Sequence, residues 1–228
     1  MKSMRATEDQ DHLPDEPRGM SGLNLSNLAY RAISEMIRDR RLKGGEQIVE
    51  ARLADVLGIS RTPLREALQR LEGEGLVRKF ANRSYLVRSV DLAEYLHSLK
   101  VREILEAEAA ALAIGRISRD LMAAVRHEIE ELRASTSYHT ASHWQSDDNL
   151  HGIYILHCGN PVIGELINAL RVTTRLFEIA QLKDRLEPDS VEHLAILAAL
   201  EAGDAKAARQ AVTAHIRSLR DFALATVR

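Results

Sequence analysis

The segment "SDDNLHGIYILHCG", residues 146–159, sets a carboxylate and an imidazole, Asp147 and His151, four residues apart. On a helix that spacing puts both on one face. The face continues through Leu150, Tyr154 and Cys158, an apolar stripe that should point into a core. Two more imidazoles stand in similar surroundings. His193 is in register with Ile196, Leu197 and Leu200, and His215 with Ala211, Val212, Leu219 and Phe222. Burying one carboxylate and three imidazoles separately is costly without partners. Gathering them on one divalent cation removes that cost, because neutral imidazoles donate nitrogen and the carboxylate offsets part of the charge. Three readings stay open: a metalloenzyme, a metal-anchored sensor, or core histidines satisfied by hydrogen bonds. Hydrolytic chemistry of the "HExxH" kind lacks its main player, since no glutamate base stands between paired histidines.

Arg102, in "LKVREILEAEAA", is in register with Leu99 and Ala109 on an inward face. An arginine there must pair, either with Glu106 one turn on or with an anionic ligand. Arg171 and Arg175, also four apart, read as a solvated face rather than a pocket mouth. Cys158 beside His157 reads as core, because adjacent helical residues do not face each other.

The elements that carry these residues are helical. After Asp91 the periodicity predicts helices over 91–115, 119–137, 142–158, 161–182, 188–202 and 204–226, broken by "GRIS", "YHTAS", "CGNP", "RLEP" and "EAGD". Six helices on short connections imply a compact antiparallel bundle.

The N-terminal part is different. Apolar residues recur at helical spacing from Leu25 to Arg41, "KGGEQI" breaks that helix, and "EARLADVLG" is a short second one. "SRTPLREALQRLEGEG" is a third, with Ser60 as a candidate cap and Pro63 in its first turn. "LVRKF" and "YLVRS" then read as two strands around "ANRS". Two helices across the tight "LGIS" turn, followed by a hairpin, make a helix-turn-helix with a wing. Recognition helices insert their first turn into the major groove, and Ser60, Arg61, Thr62 and Arg65 place polar and basic groups there. Arg61 or Arg65 suits a bidentate contact to guanine, Ser60 and Thr62 suit phosphates, and Arg78, Lys79 and Arg83 lie on the wing.

Charge follows the same division. Residues 21–88 carry a net of +5, residues 91–228 a net of −5, and the first twenty residues −2. Only the basic part is suited to meet a polyanion. With 45% hydrophobic and 28% charged residues, the chain can bury a core and remain soluble. One cysteine excludes a disulfide framework and fits a reducing compartment. No apolar run approaches the roughly 20 residues that span a bilayer, and the first residues lack the apolar middle of a signal peptide. A cytoplasmic location without membrane association is therefore expected. Residues 1–22, polar and acidic with two prolines, are expected to form a disordered tail.

The stretch "GEQIVEARLADVLGISRTPLREALQRLEGEGLV" resembles the DNA-binding module of the GntR superfamily of bacterial transcription regulators. That resemblance implies a contact face of Ser60, Arg61, Thr62, Pro63 and Arg65, with a wing contact by Asn82 or Arg83. The chain departs from the family where Ser84 replaces the usual wing glycine. The later patterns "DDNLH" and "EHLAILAALEAGDAKAARQAVTAH" resemble the FCD effector domain found behind FadR-type GntR modules, with Leu150 in place of a phenylalanine. The resemblance implies Asp147, His151, His193 and His215 as ligands of a divalent metal, typically zinc, and Arg102 as a holder of a carboxylate effector.

The sequence therefore predicts a mainly α protein, with a winged helix-turn-helix over 23–88 and a six-to-seven-helix metal- and effector-binding domain over 91–228. The expected function is a homodimeric transcription regulator, a repressor, whose affinity for operator DNA responds to a small carboxylate bound at the metal. The alternative is a metal-dependent enzyme acting on an organic acid, fused to a DNA-binding module.

Overall fold

The computed structural model describes residues 22–80, 84–135, 141–181 and 185–227. The expected tail therefore lies outside the described residues except for Gly22, which opens the first helix, and Asn82 and Arg83 also lie outside them.

Helix α1 (Gly22–Arg38) packs its Ala29, Ile33 and Ile37 face on α3 (Arg61–Gly73), whose Leu64, Ala67, Leu68 and Leu71 are fully buried. Between them lies α2 (Glu50–Leu57), ended by Gly58 at φ 64°, a left-handed conformation that only glycine adopts without strain. Its N–H bonds back to Ala54 and Asp55, which makes the turn into α3 tight. Ser60 occupies the N-cap position of α3, but its hydroxyl makes no capping bond, contrary to expectation.

The wing contains one strand more than expected. β1 (Gln47–Val49) joins β2 (Val77–Phe80) and β3 (Ser84–Val87) in an antiparallel sheet of order β1-β3-β2. Gln47 and Ile48 lie in the stretch read as a helix break, and Val49 stands just before the second helix as read. Their alternation is too short to signal a strand, and pairing with β3 (Ile48 opposite Tyr85, Val49 opposite Ser84) supplies what the local sequence does not. Ser84 is buried in regular strand register opposite Val49 and Phe80, with no positive φ, so the glycine usual in relatives is not needed at that position.

Among the described residues six helices follow: α4 (Leu92–Leu112), α5 (Arg119–Ser135), α6 (Ala141–His157), α7 (Pro161–Gln181), α8 (Leu186–Glu201) and α9 (Ala205–Thr226). Asp91 caps α4 by accepting from Glu94 N–H, and Asp204 caps α9 by accepting from Lys206 and Ala207. α4 is central, packed on α9, α7 and α6, which explains why Arg102, Glu103 and Glu106 are buried on it. The mainly helical fold, a winged helix-turn-helix followed by a helical bundle, is as the sequence predicts. No helix among the described residues is long and apolar enough to cross a membrane.

Candidate functional site

α6, α8 and α9 bring His151, His193 and His215 together, with ring centroids 4.7–5.6 Å apart. All three are buried, and their Nε2 atoms have no hydrogen-bond partner. Three orphaned buried nitrogens are costly unless something takes their lone pairs. Asp147, one turn before His151, directs Oδ1 at this point, 3.5 Å from His151 Nε2 and 3.7 Å from His193 Nε2. Its other oxygen accepts from Arg171 and Arg175, at 2.7 Å each.

The tautomers suit ligation. His151 Nδ1–H donates to Glu106 Oε2 (2.6 Å), and His215 Nδ1–H donates to Glu192 Oε2 (2.8 Å). With Nδ1 protonated, Nε2 is left as a lone-pair donor, the carboxylate–histidine arrangement common at metal centres. Electrostatics also disfavour the charged form of His151 and His193. Burial, aided by Arg171, pushes His151 down to about 4, and burial, aided by His215, pushes His193 well below the usual range. Burial pushes the Asp147 carboxyl up, but Arg171, His151 and Arg175 outweigh it and hold the group well below the ordinary value. The residues thus offer three buried, unpartnered imidazole nitrogens and one carboxylate, a donor set that fits a divalent ion of the zinc type. A second grouping, Asp189, Glu192 and His215, shares one histidine, but Arg185 already pairs with both its carboxylates. The three histidines are the better fit.

His193 and His215 line a cavity of about 340 Å³, whose walls also include Asp147, Arg102, Arg171 and Arg175. Arg102 makes the internal pair that one reading of the sequence gives, its Nε with Glu106 (2.6 Å); its Nη1 donates to Thr174 Oγ1 (2.8 Å), and it lines the cavity. Burial disfavours the Glu106 carboxylate, but Arg102 and His151 outweigh it and hold the group well below its ordinary range. Arg171 and Arg175 require a correction. They are not a solvated face but grip Asp147 and Asp148 across the cavity, with side chains only 10% and 18% exposed. Sequence reasoning also missed Glu106, Glu192 and Arg185 as the groups that orient the histidines and line their surroundings. The "EH" step at 192–193 is the one local signal for Glu192.

In the N-terminal unit, Ser60, Arg61 and Thr62 are exposed at the start of α3. Arg65 is half-buried and paired with Glu50 at 2.7 Å. Pro63 is buried, so it shapes the first turn from inside rather than forming part of the exposed face. Arg78 and Lys79 are exposed on β2. Arg83 falls outside the described residues.

Comparison with known proteins gives a family match in each part of the chain. The profile of the bacterial regulatory proteins, gntR family, matches residues 25–87, and that of the FCD domain matches residues 97–218. The chain is 30% identical over 188 residues to the Nta operon transcriptional regulator of Aminobacter aminovorans, covering 81% of this chain and 87% of that protein. It is 30% identical over 102 residues to the uncharacterized HTH-type transcriptional regulator YdhC of Bacillus subtilis (strain 168), covering 45% of this chain and 46% of that protein. The solved structure of E. coli McbR/YncC superposes with a TM-score of 0.73 at 22% identity, covering 90% of this chain and 99% of the other, a likeness of fold. These relatives are named as transcription regulators, and the enzyme alternative finds no support among them. The chain belongs to the GntR family of DNA-binding transcription regulators, with an FCD domain as its C-terminal part.

Proposed function

We propose that the chain is a repressor whose operator affinity is set by a small carboxylate held at a zinc site of Asp147, His151, His193 and His215. The observation that carries this reading is the convergence of three unpartnered, buried Nε2 atoms and the Asp147 Oδ1 at one end of an arginine-lined cavity. A bound divalent ion would supply a positive anchor for a carboxylate oxygen. Arg102, with Arg171 and Arg175 nearby, favours an anion over a neutral ligand. The division of labour is residues 23–88 for DNA and 91–228 for metal and effector, in a cytoplasmic protein.

Ser60, Arg61, Thr62 and Arg65 meet the operator, with Arg83 on the wing and Pro63 framing the helix start. A homodimer presents two recognition helices to a pseudo-palindromic site. Exposed apolar side chains support self-association: Val101 and Ile104 on α4, and Leu156, Val162 and Leu166 around the α6–α7 turn. The effector controls DNA affinity only by binding one arrangement of the winged units better than another.

The test selects a binding site from random duplexes and measures its affinity for zinc-loaded protein across a panel of small carboxylates. An acid that weakens operator binding tenfold or more in the wild type, but not in His193→Ala, supports the reading. Operator affinity unchanged under saturation by every acid that calorimetry shows to bind contradicts it.

A further inference from the structure

The cavity is not built by the helical unit alone. Arg38, the last residue of α1, and Arg40, in the turn that follows, line it together with Arg102, Arg171, Arg175 and Arg185. Neither Arg38 nor Arg40 has an acidic partner among the described residues. Each of the other four does: Arg102 has Glu106, Arg171 and Arg175 share Asp147 and Asp148, and Arg185 has Asp189 and Glu192. The unmatched positive charge of the cavity wall therefore sits on the DNA-binding side.

The turn that presents these two side chains is constrained. Arg40 is the one non-glycine among the described residues with a positive φ, 59°, a left-handed conformation that side chains disfavour. The turn is closed by Arg40 N–H to Ile37 O (3.1 Å) and Leu42 N–H to Met36 O (2.9 Å), and Leu42 is buried beneath it. Ordinary helix ends take such a conformation with glycine or asparagine.

We propose that Arg38 and Arg40 form a second anion subsite, so that the ligand carries at least two acidic groups and ties the winged unit to the helical one. This rests on the carboxylate reading above. One acid group occupies the histidine end of the cavity, and the second reaches the arginine pair. Bidentate guanidinium contacts suit a carboxylate or phosphate in that place. A ligand held by both units has by construction a different affinity for different placements of the winged unit, which is the requirement for coupling. An acid with a single anionic group fills the inner end and lacks this grip.

The experiment is calorimetric titration of the zinc-loaded full chain with malonate, succinate, glutarate and adipate, each beside the monocarboxylate of the same length. The same titrations are run on Arg38→Gln/Arg40→Gln and on Arg38→Lys/Arg40→Lys. The expected result is at least one diacid bound tenfold or more tighter than its monoacid. The glutamine pair should abolish that advantage with monoacid affinity kept within twofold, and the lysine pair should retain most of it, which a folding defect would not. A diacid advantage that survives the glutamine pair, or none in the wild type, overturns the subsite and leaves the carboxylate reading standing. A wild type that binds none of the eight acids overturns that reading, and the subsite with it.

Discussion

Replacing Glu106 by glutamine should damage the metal site from one step away. The Glu106 side chain is fully buried and accepts three hydrogen bonds, from Arg102 Nε (2.6 Å), His151 Nδ1 (2.6 Å) and Tyr154 OH (2.7 Å). An amide has one acceptor oxygen, so at least one of the three donors meets an N–H₂ group instead. If the amide nitrogen faces His151, the favoured tautomer reverses: Nδ1 becomes the acceptor, and the proton moves to Nε2, where a lone pair is needed. Loss of such an orienting partner costs roughly 10–100-fold in metal affinity, or about 1.4–2.7 kcal/mol. Arg102 is left buried without its counter-charge, and breaking one side of a buried pair costs about 3–5 kcal/mol of stability. Two assays separate these effects: zinc affinity by competition with a chromogenic chelator, and thermal melts with and without zinc. Tyr154→Phe is the control, since it removes one donor but keeps the carboxylate, and zinc affinity should change by no more than a few-fold. A folded Glu106→Gln protein that binds zinc as tightly as the wild type would refute the tautomer argument, whatever happened to its melting temperature.

Arg61→Ala should weaken operator binding by about 1–3 kcal/mol, most strongly for duplexes with the preferred base at the contacted position. Ser60→Ala should weaken all duplexes alike, and anisotropy titrations on matched and mutated sites distinguish the two. Arg88, just beyond β3, donates to Thr173 Oγ1 on α7 (3.0 Å) and pairs with Glu94, while the adjacent Thr174 accepts from Arg102. Arg88→Ala should therefore bring the ratio of operator affinities with and without effector towards one, with zinc binding unchanged; a ratio equal to that of the wild type rules out this link. The metal-free protein should lose stability in mild acid. His151 has its folded value depressed to about 4, against about 6.5 unfolded, so the unfolded chain takes up protons first as pH falls. The contribution is complete above pH 6.5 and shrinks as pH drops towards 4, by about 2 kcal/mol at pH 5 and about 3 kcal/mol in full. Urea midpoints at pH 7.5 and 5 that coincide contradict the buried neutral imidazole.

Individual helices and the four inward polar residues were readable because both are local properties of the chain. Periodicity places Asp147 and His151 on one face and His193 and His215 on inward faces, and burial of the three histidines follows from the apolar neighbours on each helix. What was not readable depends on which helix lies beside which. Arg171 and Arg175 look like a solvated pair because their partners, Asp147 and Asp148, lie 23–28 residues away on α6. Glu106 looks like one half of an ordinary i, i+4 pair with Arg102. Its bonds to His151 and Tyr154, 45 and 48 residues on, exist only because α6 packs on α4. β1 is another case, three residues whose strand character comes from β3. The contribution of Arg38 and Arg40 is the extreme one, since no reading of the helical domain alone places a residue of the DNA-binding module in its cavity. Inward polar residues are thus legible one at a time, whereas their orientation, charge state and neighbours are properties of the assembled fold. In the proposed mechanism those are also the properties by which a ligand at the histidines would change what the winged unit does, so the variants that test it best lie outside Asp147, His151, His193 and His215 themselves.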